Sequence, residues 1–329
     1  MAQINTISNS RSAPAKTRMI IHGKGDWHKS VLNGDFDFFN KLAAKASKEN
    51  IKTFVVQADT NTSNELLSDD QIHIMLGDIP KYDHRILHAM PTYIWGFWYL
   101  DEIGVHSNSS HRLKPFVPEG IHFEEAEYFF NGVSGWMLSE NISKFDQPNR
   151  KYDLEPAAAV VYCQDIEKFA NRIHYLTREE MIATAALHLG GEKVYVKMHP
   201  SQTEHQMKSI TRLAARLPNV EISDASVHDL TAASRVVITQ NSAAGFEALM
   251  QKKPVITCAK SNYHHATWVA RSPHQLRDAI QHAPDTMAEF PFEKYFFWFL
   301  NIHCLESAKD DFEDRAWNII KEKMMLPAR

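Results

Sequence analysis

The chain has 329 residues, of which 44% are hydrophobic and 23% are charged, and its formal net charge is -4. This length suits two domains better than one core, and the charge balance excludes a globally basic surface for nucleic acid. The three cysteines, Cys163, Cys258 and Cys304, have the spacing of neither a metal site nor a disulfide framework. We therefore expect free thiols in a reducing, cytoplasmic setting. Because no run of about 18 apolar residues occurs, we predict no membrane-spanning helix.

The N-terminal part of the sequence predicts strands that alternate with helical stretches. Polar residues 1–17 are expected to form a disordered arm. A helix is predicted where Asp35 provides the N-cap and an apolar face follows. Residues 84–100 are apolar and aromatic, and Pro91 interrupts any helix there. The predicted strands are 18–23, 51–59 and 71–79, and the apolar helix face consists of Phe38, Phe39, Leu42, Ala43 and Ala46.

Residues 101–156 lose regular periodicity, and their prolines and histidines indicate a long irregular stretch. Such a stretch inside a compact protein is usually functional or a linker. The polar segment 146–156 is predicted to be a domain boundary.

The C-terminal part predicts a second alternating series. Thr177 and Glu180 have the spacing of a capping box before an apolar helical face. A second capping box is formed by either Ser201 with Glu204 or Thr203 with Gln206. The predicted strands are 157–165, 193–200, 220–224, 235–240 and 254–259, and further predicted helices are 226–234, 243–252 and 307–324.

Strands separated by helices predict parallel, doubly wound sheets, and near-continuous apolar strands suit sheets that are covered on both faces. The sequence therefore predicts an α/β protein with two domains of similar construction. The predicted division is an arm at 1–17, an N-terminal domain at 18–155, a C-terminal domain at 156–289 and a helical segment at 290–329.

Residues 236–256, "VVITQNSAAGFEALMQKKPVI", change from strand to polar turn to helix. In an open α/β sheet, ligands bind outside the carboxyl ends of the strands. Ser242 is a good N-cap, and free amides at a helix start attract an anion such as phosphate. Alternatively, Ser242 only caps the helix and Gly245 only allows close packing of helix and sheet. The candidate ligand-binding residues are Asn241, Ser242, Ala243, Ala244, Gly245 and Glu247, the last of which is placed to bind a ribose.

A second motif, Lys197-x-His199-Pro200, ends the predicted strand 193–200. Pro200 stops the strand, so His199 lies at the carboxyl edge, where it can donate to a phosphate. Lys197 points to the same side two residues earlier and adds positive charge. Taken alone, the motif also fits an ordinary surface histidine.

Together, "KMHP" and "ITQNSAAGFEALMQKKPVI" resemble segments of the capsule polysaccharide biosynthesis proteins, which include bacterial β-Kdo transferases. The resemblance covers roughly residues 157–270. It implies a GT-B fold with two Rossmann-like domains that face a cleft, C-terminal helices that pack back, and a CMP-activated sugar donor. It also implies that His199 and Ser242 hold the CMP phosphate and that Glu247 helps to bind the nucleotide. Gln164, followed by Asp165, occupies the place of a Gln with a nearby Asp that the family often has.

The N-terminal part departs from the family, since "PEGIHF", residues 118–123, is at best a remnant of its acidic segment. Glu119 of this segment is one catalytic candidate. Asp26 and His28, in "GKGDWHKS" after the first strand, are the others, because that loop faces the cleft in a GT-B enzyme. A solvated turn is the alternative. Further candidates are Lys29, His106, His111 and Glu124.

Tyr263, His264 and His265 follow the predicted strand 254–259 and are placed to line a nucleotide pocket. Adjacent histidines face different ways on a helix or strand, so we predict no metal site there, and none elsewhere. The aromatic segments 94–100 and 290–300 suit a membrane surface, but packing in the core or a dimer is favoured.

We therefore expect a cytoplasmic, metal-independent glycosyltransferase that needs no cofactor. It would move Kdo or a related acidic sugar from a CMP-activated donor, bound by the C-terminal domain, to a bacterial surface glycan or glycolipid, bound by the N-terminal domain. The expected partners include no nucleic acid, and contact with the inner membrane and a homodimer remain open. The alternatives are a UDP-sugar 2-epimerase, whose serine–glycine turn is followed by a denser acidic helix, and a non-catalytic nucleotide- or glycan-binding relic.

Overall fold

The computed structural model describes residues 1–3, 17–79 and 81–325. Most of the predicted arm, residues 1–17, therefore lies outside the described residues. At the start of the arm, Ala2–Gln3 form a short strand that pairs in parallel with Phe54 and Val55. The prediction of disorder is therefore wrong for these two residues.

Internal packing divides the chain into two units, Met1–Leu113 with Leu300–Arg329 and Lys114–Phe299. The division differs from the predicted one, since residues 114–155 pack in the second unit and 290–329 are shared. Residues 146–156 are tied into the second unit because Arg150 Nε donates to Asp229 Oδ1.

The predicted strands are present, and several end earlier than predicted. The strands are β1 Ala2–Gln3, β2 Arg18–Gly23, β3 Lys52–Gln57, β4 Ile72–Leu76, β5 Ile86–Pro91, β6 Phe97–Asp101, β7 Ala157–Tyr162, β8 Val194–Lys197, β9 Val220–Ile222, β10 Ser234–Thr239, β11 Val255–Thr257, β12 Trp268–Val269 and β13 Leu305–Glu306.

The helices cover both units, and short 3-10 turns connect some of them. The α-helices are α1 Asp26–Asn33, α2 Asp37–Lys48, α3 Asn61–Leu66, α4 Phe123–Ser139, α5 Arg178–Leu189, α6 Glu204–Ala214, α7 Val227–Ala233, α8 Ala243–Ala248, α9 Pro273–Thr286, α10 Phe292–Phe296 and α11 Phe312–Met325.

The first unit is built on a sheet with the strand order β1-β3-β2-β4-β5-β6-β13. The first five of these strands are parallel, whereas β6 runs antiparallel to β5 and β13 antiparallel to β6. The aromatic stretch 84–100 thus forms a hairpin. Phe38 of α2 lies in the core of this unit, with ring centroids 4.8 Å from Trp98 and 5.1 Å from Phe312. The terminal helix α11 therefore packs back on α2.

Two local predictions for the first unit are wrong. Asp26 and His28 were expected in a loop, but they lie in the first turn of α1, after Gly25 with a positive φ of 56°. Asp35 does not cap α2; its amide donates to Ser30 O at 3.0 Å and closes the turn after α1, so Phe36 takes the N-cap position. The predicted apolar face of α2 is buried except for Ala43, which is half-buried.

The second unit has a parallel sheet with the strand order β12-β11-β10-β7-β8-β9. Both hydrogen bonds of the predicted capping box between Thr177 and Glu180 are present. At α6, the box is the one between Thr203 and Gln206. These strands and helices alternate along the chain as a doubly wound α/β unit requires.

The predicted irregular stretch 101–156 contains a 17-residue helix, α4. Its buried face includes Ala126, Phe130 and Met137, while Tyr128 is 85% exposed and Trp136 is 50% exposed. Since aromatic residues occur on several sides, no clean period of 3.6 is visible in the sequence. None of the described helices has the length and apolar character needed to cross a bilayer.

Candidate functional site

The carboxyl ends of β7, β8 and β10 lie at one edge of the second sheet, because neighbouring strands in this sheet are parallel. Gln164 follows β7, His199 follows β8, and Asn241 follows β10. Ligands bind at such an edge in open α/β sheets. We call these residues and Ser242 the β7/β8/β10 edge.

Gln164 and Asn241 join two of these strand ends. Gln164 Oε1 accepts from the Asn241 amide at 2.7 Å, and Gln164 Nε2 donates to Asn241 Oδ1 at 3.1 Å. Asn241 Nδ2 donates to Lys260 O at 2.8 Å. Neither side chain is fully buried. The pair therefore fixes the backbone of the turn that leads into α8.

Ser242 is the N-cap of α8, as predicted, and its Oγ accepts from the Ala244 amide at 3.3 Å. Ala243 and Ala244, which follow it, are partly exposed. The buried Gly245 allows close packing: a Cβ there would lie 2.7 Å from Thr239 Cγ2 and 2.9 Å from Tyr263 Oη. Glycine is thus required at this position by the packing of α8 on the sheet.

Tyr263 is fully buried, and its hydroxyl donates to Ser242 O at 2.8 Å. It therefore supports the α8 turn from beneath. The rings of His264 and His265 lie 4.0 Å apart on a 3-10 turn, so the expectation that they face different ways is wrong. Burial lowers the pKa of His265 to about 4, and His264 adds to this effect.

His199 lies at the edge with a defined ring orientation. Its Nδ1 accepts from the Ser201 amide at 3.1 Å, so in the neutral imidazole Nε2 carries the proton and is a donor. Burial lowers the pKa of His199, the Asp165 carboxylate opposes this shift, and Lys144 and Lys168 add to it. Near neutral pH, His199 is therefore an uncharged donor, suited to an anionic oxygen. Pro200 beside it is exposed.

Contrary to the prediction, the side chain of Lys197 is not directed to the β7/β8/β10 edge beside His199. Its Nζ donates to Asp224 O at 3.0 Å and to Ala225 O at 2.7 Å. Burial lowers its pKa, and Asp224 opposes that shift. The ammonium group of Lys197 holds the loop after β9.

Glu247 is buried inside the unit, with 1% of its surface exposed. Its Oε1 accepts from Ser143 Oγ at 3.0 Å. Burial raises the pKa of Glu247 to about 7, although the hydrogen bond from Ser143 and the Lys144 backbone and charge oppose this. The carboxyl group therefore titrates near neutral pH and contacts residues 143–144, which no motif marks in the sequence.

The N-terminal candidates are distributed over both units. Asp26 is exposed over 96% of its side chain and pairs with Lys29 at 3.3 Å, whereas His28 is buried and its pKa is lowered by burial and by Lys29. These residues lie in the first unit, and Glu119 lies on an exposed 3-10 turn of the second.

The remaining candidates are not at the β7/β8/β10 edge. His106 and His111 belong to the buried surroundings of Tyr99, with ring centroids 5.3 Å from it in both cases. Glu124 is exposed in the first turn of α4. Among the described residues, no group of three or more His, Cys, Asp or Glu side chains is arranged to hold a metal ion.

Sequence reasoning missed residues 141–147, which we call the strap. Phe145 of the strap contacts His199, with ring centroids 5.2 Å apart. His228 Nε2 and Ile142 O are 2.7 Å apart. The strap lies in a segment without periodicity, and no motif marks it in the sequence.

Residues 171–288 match the model of a known family, the capsule polysaccharide biosynthesis proteins. The matched segment contains His199, Asn241, Ser242 and Glu247, so the predicted resemblance is confirmed over this segment. No curated protein sequence matches the chain.

Several solved structures are similar. The β-Kdo 2,7 transferase of KpsC from Thermosulfurimonas dismutans has 14% sequence identity and a TM-score of 0.55, over 94% of this chain and 100% of that one. The β-Kdo 2,4 transferase of the same KpsC has 15% identity and a TM-score of 0.47, over 82% and 89%. A UDP-GlcNAc 2-epimerase from Methanocaldococcus jannaschii, in complex with UDP-GlcNAc and UDP, has 10% identity and a TM-score of 0.40, over 93% and 100%. The first likeness confirms the predicted α/β fold of the GT-B class, with two Rossmann-like domains.

Proposed function

We propose that the protein is a glycosyltransferase that moves a sugar from a CMP-activated donor to a bacterial surface glycan or glycolipid. One observation carries the proposal: the segment that matches the capsule polysaccharide biosynthesis family supplies His199, Asn241 and Ser242 to one sheet edge. The sugar would be Kdo or a related acidic sugar.

In this proposal, the second unit binds the donor. The Nε2–H group of His199 donates to the phosphate, and the charge that develops on the departing phosphate strengthens this bond in the transition state. The small residues Ala243 and Ala244 leave room for the nucleotide beside the turn that Gln164 and Asn241 fix. Glu247 lies beneath this surface, where its carboxyl group would support the ribose end of the site.

The first unit would bind the acceptor, and Asp26, His28 and Glu119 remain the catalytic candidates. We propose that transfer needs neither a metal nor a cofactor and takes place in the cytoplasm. Contact with the inner membrane, which would follow from the nature of the acceptor, and a homodimer are further parts of this proposal. Neither rests on the aromatic segments 94–100 and 290–300, since most of their large side chains are buried.

Thermal shifts with CMP, CDP, UMP, UDP and GDP test the donor. A nucleotide at a hundred times its Kd stabilises a protein by about 2.7 kcal/mol, so CMP should raise the midpoint of unfolding clearly. Stabilisation by UMP or GDP but not by CMP would refute the CMP assignment. Conversion of a UDP-sugar to its 2-epimer would instead support the epimerase alternative. Binding of a nucleotide without any turnover of its sugar would support the non-catalytic alternative.

His199→Ala tests the site itself. Because His199 ends a strand at the edge and lies outside the core, the variant should stay folded and bind CMP more weakly. His205→Ala is the matched control, since His205 is exposed on the neighbouring helix α6. Parental CMP affinity in the His199 variant would contradict the proposed site.

A further inference from the structure

The strap, residues 141–147, is fixed along its length to elements of the second unit. Ser226 Oγ and Asn141 Oδ1 are 2.5 Å apart, and the Val227 amide donates to Gln147 Oε1 at 3.0 Å. Between these ends, Ile142 O lies within hydrogen-bonding distance of His228. These anchors give the middle of the strap a defined position beside the β7/β8/β10 edge.

Lys144 is the centre of the strap. Ser143 before it donates to Glu247, and Phe145 after it packs edge-on against the ring of His199. Because consecutive Cα atoms are about 3.8 Å apart, Lys144 is flanked by two residues that each contact a candidate donor-binding residue.

The charge of Lys144 acts on both neighbours. It lowers the pKa of His199 and opposes the upward shift of Glu247. Lys144 is largely exposed as a residue, but desolvation of its ammonium group lowers its pKa and Glu247 opposes this. A partly desolvated cation whose charge acts on His199 is suited to bind an anion at the β7/β8/β10 edge.

The other cations near His199 are already engaged. Lys168 Nζ pairs with Asp165, and Lys197 Nζ donates to two carbonyl oxygens. Among the residues that the structure describes, Lys144 takes part in no ion pair within 4.0 Å. The ammonium group of Lys144 is therefore available for a ligand.

We propose that Lys144 binds the phosphate of the nucleotide donor together with the imidazole of His199. This inference rests on the proposed function and gives Lys144 the role of positive charge that was predicted for Lys197. A half-buried neutral donor and an ammonium group complement each other: His199 gives one directed hydrogen bond, and Lys144 neutralises charge.

The test compares Lys144→Met with Lys208→Met by calorimetric titration of cytidine and CMP. Met keeps the length of the side chain and removes its charge, and Lys208 is an exposed control in the same unit, paired with Glu204. Loss of a hydrogen bond to a charged group should weaken CMP binding at least about tenfold, with cytidine affinity unchanged. Lys144→Arg should recover most of the lost CMP affinity.

A second readout follows the pKa of His199 by NMR in the folded, ligand-free protein. Removal of a neighbouring cation should raise this pKa in Lys144→Met and leave it at the parental value in Lys208→Met. Equal CMP affinity in Lys144→Met and the parent would overturn the inference. Equal loss of cytidine and CMP affinity would also overturn it, because Lys144 would then act only by shaping the strap. If the parent binds neither ligand, the proposed function fails first.

Discussion

Gln164 binds Asn241 twice, once at its backbone amide and once at its side-chain oxygen, at 2.7 Å and 3.1 Å. The two residues follow neighbouring parallel strands, β7 and β10, and are 77 positions apart in the chain. The shape of the turn before α8 therefore depends on a residue from another strand.

Gln164→Leu removes both hydrogen bonds and leaves polar atoms of Asn241 unpaired. We expect a loss of about 1–3 kcal/mol in the free energy of unfolding and weaker binding of CMP. Urea titration measures the first and calorimetry the second. Gln281→Leu, at an exposed position on α9, should change stability by less than about 0.5 kcal/mol. Equal stability in the two variants would mean that the Gln164 pair contributes nothing.

Gly245→Ala and Gly132→Ala should have opposite effects. A Cβ at Gly245 would lie 2.7 Å from Thr239 Cγ2 and 2.9 Å from Tyr263 Oη, while a Cβ at Gly132 in α4 meets nothing within 4 Å. Overpacking should destabilise the first variant by about 1–3 kcal/mol, and better helix propensity should stabilise the second by about 0.5–1 kcal/mol. Thermal unfolding under one buffer condition compares them. A Gly245 variant as stable as the parent would refute the packing role.

His22 should make the first unit sensitive to acid. Burial, with His73 adding to it, lowers the pKa of His22 from 6.5 to about 3. The unfolded chain therefore takes up a proton below pH 6.5 that the folded chain refuses, so stability is present above this pH and is lost as pH falls. Between pH 7.5 and 5.5 the loss from His22 alone is about 1.4 kcal/mol.

Chemical unfolding of the parent and His22→Gln at several pH values checks this. The variant should be less stable at pH 7.5, since His22 bonds to Ser63 at 2.8 Å and His73 at 3.0 Å, but should lose less stability on acidification. The same pH slope in both proteins would show that His22 does not titrate as described.

The ionisation of Glu247 should lower the stability of the protein as pH rises, whereas the effect of His22 lowers it as pH falls. Its pKa is raised from 4.5 to about 7 by burial, so the folded protein retains a proton that the unfolded chain releases. Stability is thus lost as pH rises from 4.5 to 7, by an amount on the order of 3 kcal/mol. Glu247→Gln should be more stable than the parent at pH 7.5 and closer to it at pH 4.5. An unchanged difference across this range would contradict the buried proton.

Asp26→Asn, His28→Ala and Glu119→Gln separate the catalytic candidates. A group that acts as acid or base in the transition state contributes about 10²- to 10⁴-fold, so we expect Asp26→Asn to lower kcat by this factor with nucleotide affinity kept. Asp37→Asn is the matched control, because Asp37 is also exposed in a first helical turn and pairs with Lys41. Near-parental turnover in Asp26→Asn with collapse in Glu119→Gln would move the catalytic role to the segment 118–123.

Local patterns predicted much of the fold because they depend on few residues. The capping box of Thr177 and Glu180 and the strand at 18–23 need only near neighbours and a buried face. Helix α4 was missed because its exposed aromatic residues mask its buried face.

The positions of His199 and Asn241 at one sheet edge were predictable, because they follow from parallel strand ends. The surroundings of Glu247 were not, because its partner Ser143 is 104 residues away. The role of Lys197 depends on carbonyl groups 27 and 28 residues further along, and no pattern in the sequence reports where backbone oxygens point. Long-range polar contacts of this kind decide which of several lysine side chains near the β7/β8/β10 edge can bind a ligand.

The first unit is discontinuous, since it includes Leu300–Arg329 as well as Met1–Leu113. During synthesis, the ribosome must release the entire second unit before β13 can pair with β6 and Phe312 can reach Phe38. The second unit is one continuous stretch of chain, so it can close while the first still has an open sheet edge and an uncovered helix. The second unit can thus fold first, although its codons come later, and the described residues from 300 to 325 then complete the sheet and cover the helix of the first unit.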